Sequence, residues 1–110
     1  MAHNEELANR LRECLADEAG LSEKKMFGGL AFLINGNLAV SASGQGGLLL
    51  RVDPAQTEAL VESPHATRAV MRKREMDGWL RVCDDGVTST RDLRKWVAIG
   101  VRYAASFPAK

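Results

Sequence analysis

An Asn35-Gly36 dipeptide stands between the apolar runs Leu30-Ala31-Phe32-Leu33-Ile34 and Leu38-Ala39-Val40. Both residues tolerate positive φ, so the pair closes a two-residue turn whose twist matches a β-hairpin. A turn of that length sets the register: Ile34 opposite Asn37, Leu33 opposite Leu38, Phe32 opposite Ala39, Ala31 opposite Val40 and Leu30 opposite Ser41. Side chains alternate across a strand, so one face of the hairpin carries Ala31, Leu33, Leu38 and Val40 and reads as core. The other face carries Leu30, Phe32 and Ile34 opposite polar or small residues. It is expected as a contact surface, most simply between two copies of the chain. In the competing reading the last helix covers this face with Trp96, Ile99 and Tyr103. Gly28-Gly29 lies in the incoming strand, where glycine weakens packing, and implies a bulge or a close backbone approach.

Around this hairpin the chain alternates. Leu7, Leu11, Cys14 and Leu15 recur at helical spacing and predict a helix over 4–19, capped by Asn4 and closed by Gly20. Ser43-Gly44-Gln45-Gly46-Gly47 leads into a strand over 48–52. Asp53-Pro54 with Gln56 opens a short helix as a capping box, and Ser63-Pro64 stops it. Strands are expected over 67–71 and 79–83, separated by a charged turn containing Asp77-Gly78. Ser89-x-x-Asp92 opens the last helix, whose stripe is Leu93, Trp96, Val97, Gly100, Val101 and Ala104. The order αβββαββα predicts an α+β fold, a mainly antiparallel sheet packed by helices. With 110 residues there is room for one core, so residues 1–110 form a single domain.

Several of these pieces occur in a specific sequence order. They are Lys25-Met26-Phe27-Gly28-Gly29-Leu30-Ala31-Phe32 with its Asn-Gly turn, Leu50-Arg51-Val52-Asp53, and Met76-Asp77-Gly78-Trp79-Leu80-Arg81-Val82. The closing helix around Leu93 and Trp96, ending in Ala104-Ala105-Ser106-Phe107-Pro108, completes the set. Together they resemble the N-terminal domain of the TfoX/Sxy family over nearly the whole chain. The resemblance implies an α+β fold and a place among regulators of natural competence. Two-domain members continue into a C-terminal helical domain, and this chain is expected as a stand-alone N-terminal domain. The resemblance brings no catalytic residues with it.

Fifteen basic against fourteen acidic residues leave a formal charge of +1, so an attraction to nucleic acid would have to rest on a local patch. The candidate patch is a basic edge formed by Arg68, Arg72, Lys73, Arg74 and Arg81. Glu75 and Asp77 interrupt it, no aromatic is interleaved for stacking, and basic side chains also protect sheet edges. It is read as a solvated edge, and nucleic acid is not the expected partner. Gly44-Gln45-Gly46-Gly47 lacks the lysine and the following helix of a phosphate loop, and reads as a hairpin connection. His3 and His65 have no partner at ligand spacing, so neither a metal nor another cofactor is expected. Asp84 and Asp85 precede Gly86 and read as turn formers. No serine or threonine sits in a nucleophile-elbow context, and Trp79 and Trp96 read as core.

Cys14 and Cys83 are far apart in sequence and are expected as small buried hydrophobes in a reducing compartment. Residues 1–6 are polar, unlike a secretory leader, and the apolar run 30–34 is too short to span a bilayer. A cytoplasmic protein without a membrane role follows as the expectation. Two function classes stay open. The first is a non-enzymatic regulatory or protein-interaction module, working with a protein partner or with a second copy. The alternative is a small-ligand or nucleic-acid binder using the glycine-rich loop or the basic edge.

Overall fold

The computed structural model describes residues 5–26, 29–44, 46–71 and 73–108. Helix α1 (Glu5–Leu15) is followed by four strands: β1 (Leu21–Met26), β2 (Gly29–Ile34), β3 (Asn37–Ala42) and β4 (Leu48–Arg51). A 3₁₀ turn (Pro54–Gln56) leads into the short helix α2 (Thr57–Leu60). The hairpin β5 (Ala66–Met71) and β6 (Arg74–Val82) comes next, then a second 3₁₀ turn (Asp84–Val87) and helix α3 (Thr90–Ala105). All six strands form one antiparallel sheet in the order β1-β2-β3-β4-β6-β5. The α+β class and the antiparallel sheet are as expected. No helix among the described residues is long and apolar enough to cross a membrane.

Local signals account for most boundaries. Ser89 caps α3, its hydroxyl accepting from the Asp92 N–H at 3.1 Å. Asp53 caps the first 3₁₀ turn by accepting from Ala55 N–H at 2.9 Å, with Pro54 in the first turn. The expected cap of α1, Asn4, lies outside the described residues. That helix ends at Leu15, earlier than expected, and Gly20 instead accepts the Asn35 N–H at 2.9 Å. The chain between them is then free to form β1, a strand additional to the expected order. Leu21-Ser22-Glu23-Lys24-Lys25-Met26 has no apolar alternation, and it becomes a strand by pairing along the whole of β2.

Asn35 and Gly36 take φ values of 53° and 83°, and the first two pairs are those the turn requires, Ile34 with Asn37 and Leu33 with Leu38. A bulge then intervenes. Phe32 pairs with Val40, Ala31 with Ser41 and Leu30 with Ala42, which leaves Ala39 as the extra residue in β3. One extra residue exchanges the faces of β3 relative to β2, so Phe32 and Leu30 share a side with Val40 and Ala42. That side faces the helices. Leu30, Phe32 and Ile34 are 7%, 0% and 3% exposed and belong to the core with Leu11, Trp96 and Val97. The contact surface expected from these three residues is therefore corrected. The last helix covers them, with Trp96 buried and Ile99 packed against the core. Gly100 lets α3 lie close on β3, since a Cβ there would press on the Ala39 carbonyl oxygen. Of the glycine pair, Gly28 lies outside the described residues. Gly29 meets the Ala42 carbonyl so closely that a Cβ would collide with it, the expected close approach.

A second correction concerns Asp77-Gly78. These residues do not reverse the chain but lie inside β6, and the reversal falls next to Lys73, whose φ is 66°. Gly78, at φ 87°, kinks the strand, and the pairing jumps from Arg68–Leu80 to Ala69–Met76. The kink is held by the Gly78 N–H donating to the buried Thr57 hydroxyl at 2.8 Å.

Candidate interaction surface

Directly paired residues lie on the same side of a sheet. The pairings string Lys24, Ala31, Ser41, Leu49, Arg81 and Thr67 into one row across all six strands. A neighbouring row on that side holds Ser22, Leu33 and Leu38, and Arg51 and Trp79 continue it. The intervening row, from Glu23 through Phe32, Val40, Leu50 and Leu80, faces the other way and receives the helices. Ala31, Leu38 and Leu49 do not belong to the core that the helices build. Among the described residues the helices cover one face of the sheet, and the two rows form the other.

The uncovered face is apolar in the middle and cationic around it. At its centre Ala31 and Ser41 are buried, and Leu38 and Leu49 are only 7% exposed. Arg51 lies against two aromatic rings, its guanidinium carbon 5.4 Å from the centroid of Trp79 and 5.7 Å from that of Phe107. Arg81 donates to the Gly46 carbonyl at 3.0 Å and to the Ser43 hydroxyl at 3.3 Å. With Lys24 these make three cations, and neither row contains a carboxylate. Trp79, expected as core, is half-buried on this face.

The expected basic edge does not form as a set. Arg81 belongs to the uncovered face, whereas Arg68 pairs with Leu80 in a row that faces the helices. Asp77 hydrogen-bonds Arg68 at 2.8 Å and raises its already high pKa. Lys73 and Arg74 are exposed at the β5–β6 reversal, and Arg72 lies outside the described residues. Arg68 and Arg81 lie within one short stretch of sequence, but strand alternation puts them on opposite sides of the sheet.

The glycine-rich loop is hydrogen-bonded from within at Ser43, Gly46 and Gly47. Ser43 N–H donates to Gly47 C=O, Gly46 N–H to Ser43 C=O, and Gly47 N–H to the Asp84 carboxylate at 2.9 Å. Asp84 thus fills from within the place an anion would take. Gly47 is required there, with φ 68° and the Val82 carbonyl where a Cβ would stand. Its neighbour Cys83 is exposed, with Sγ 3.5 Å from His65 Nδ1. That corrects the expectation of a buried thiol at Cys83, while Cys14 is half-buried and both cysteines are free. The turn-forming run Asp84-Asp85-Gly86 and the strand start after His65 carried no sequence signal that the side chains of Cys83 and His65 meet.

On the helix side a groove of about 430 Å³ opens between α1 and α3. One rim, formed by the end of α1 and the turn after it, carries Glu13, Asp17 and Glu18, and the α3 rim carries Arg94 and Arg102.

The sequence profile of the TfoX N-terminal domain matches residues 13–104. No curated protein and no solved structure matches the chain.

Proposed function

The chain belongs to the TfoX N-terminal domain family, and from that premise we propose that it is a non-enzymatic regulatory module that acts by binding protein, like the N-terminal domain of competence regulators. The observation that supports this reading is the helix-free sheet face, with Lys24, Arg51 and Arg81 set around Leu33, Leu38, Leu49 and Trp79 and no carboxylate among them. The chemistry that fits such a face is a protein segment in which apolar side chains alternate with carboxylates. Arg51 and Arg81 are already held by stacking and hydrogen bonds, so docking orders them at little further entropic cost. The module works in the cytoplasm, without cofactor, membrane or nucleic acid.

Titration of a short peptide alternating leucine and glutamate into ¹⁵N-labelled protein tests the assignment. Amide shifts are expected along the rows of Lys24, Leu33, Leu49 and Arg81, and a leucine–lysine peptide of equal length should leave them unmoved. The double variant Lys24→Glu/Arg51→Glu should weaken the response at least about tenfold, since like charges then meet across the contact. An equal response to the basic peptide, or shifts confined to another surface, would reject the sheet face as the docking site.

A further inference from the structure

The groove between α1 and α3 is bounded by opposite charges that do not meet. Glu13, Asp17 and Glu18 stand on one rim and Arg94 and Arg102 on the other, and among the described residues none of the five is in an ion pair. All five are exposed, and the groove is also lined by the half-buried Cys14 and Val101 and the buried Val97. An occupant must therefore offer cations to the acidic rim, carboxylates to the α3 rim and an apolar strip between them. The charged rims themselves have that pattern of charge when turned over. A two-fold axis running along the groove places the acidic rim of each copy opposite the basic rim of the other. An axis across the groove would instead set like charges together. Closed two-fold contacts are self-complementary in just this sense, each patch meeting itself. We propose that the α1–α3 groove is the contact of a two-fold dimer of this chain, with its axis along the groove. The contact is separate from the uncovered sheet face, which then points outward on both copies and stays available to another protein.

Sedimentation equilibrium on the whole chain tests this. The wild type is expected to self-associate with a Kd tighter than about 1 mM, and more weakly as salt shortens the range of the charges. One variant reverses the basic rim, Arg94→Glu/Arg102→Glu, and a second reverses the acidic rim, Glu13→Lys/Asp17→Lys/Glu18→Lys. Each alone should associate at least about tenfold more weakly, because like charges then face each other. Mixed in equal amounts they should form a heterodimer, since each carries the complement of the other on both rims. That recovery also shows that both variants are folded. Monomeric wild type, or a dimer indifferent to both reversals, would overturn the proposal, as would failure of two variants with native circular dichroism to complement. A dimer lost instead in Lys24→Glu/Arg51→Glu would assign self-association to the sheet face and overturn it equally.

Discussion

Arg12 grips Glu23 with two parallel hydrogen bonds, Nε to Oε2 and Nη2 to Oε1, both 2.9 Å, and so ties α1 to β1. A bidentate fork of this kind is more directional than an ordinary surface ion pair. It matters here because β1 is an edge strand with no apolar alternation of its own. The hydrogen bond from Arg12 holds the Glu23 carboxyl below the usual carboxylate range. A carboxyl with a lowered folded pKa binds fewer protons folded than unfolded in the interval between the two values. Its contribution is therefore complete above the unfolded value, about 4.3, and is lost as pH falls through the folded one. Glu23→Gln is expected to unfold at lower urea than the wild type at pH 7, and the gap should narrow as the acid range below that value is entered. A gap that stays constant with pH would mean that packing rather than ionisation distinguishes the two proteins. The same local chemistry explains the quiet glycine loop, where Asp84 occupies the Gly47 N–H.

At the scale of elements, the bulge at Ala39 has the largest consequence. The turn at Asn35-Gly36 was legible because both residues accept positive φ, and the first two pairs of the hairpin follow from it. Nothing in Leu38-Ala39-Val40 announces an extra residue, since a bulge does not require glycine. Packing selects it: with Ala39 left over, Phe32, Val40 and Leu30 all turn toward α3 and α1. Phe32 thereby becomes a core residue with no exposed surface. Phe32→Ala should cost about 3–5 kcal/mol, the usual cost of removing a buried ring, measured by urea unfolding. Phe32→Asp should fail to fold, by circular dichroism, because a carboxylate without partners would be buried. A folded Phe32→Asp protein of normal stability would restore the surface reading of Leu30, Phe32 and Ile34. In β6, likewise, Asp77-Gly78 has the composition of a turn, yet Gly78 serves as a kink because Thr57 accepts its N–H.

For the molecule as a whole, a net charge of +1 conceals a marked separation. Exposed carboxylates gather on α1 and the turn after it, at Glu5, Glu6, Glu13, Asp17 and Glu18. Exposed cations gather on α3, at Arg91, Arg94, Lys95 and Arg102 beside the single acid Asp92, while the two described rows of the uncovered sheet face carry three more cations and no acid. Phosphate contacts are the main source of nucleic-acid affinity, and two of the sheet cations are held by aromatic rings or loop carbonyls. Competition titration with duplex and single-stranded oligonucleotides at physiological salt should accordingly show no sequence-selective binding tighter than about 10⁻⁷ M, the limit set by ordinary non-specific affinity. Selective binding below that limit would replace protein with nucleic acid as the partner. What is settled within a few residues could be read directly from the chain: the Asn35-Gly36 turn, the caps at Asp53 and Ser89, the apolar stripe of α3, and the ordered motifs of the family. Each rests on a φ preference, a short-range hydrogen bond or a helical period. Long-range packing settled which face of the first hairpin lies inside, that residues 21–26 form a strand, and that Arg51, Arg81 and Trp79 share one face. Those outcomes depend on pairing between distant segments and on how closely α3 can approach β3, and neither is encoded in any short window of the chain.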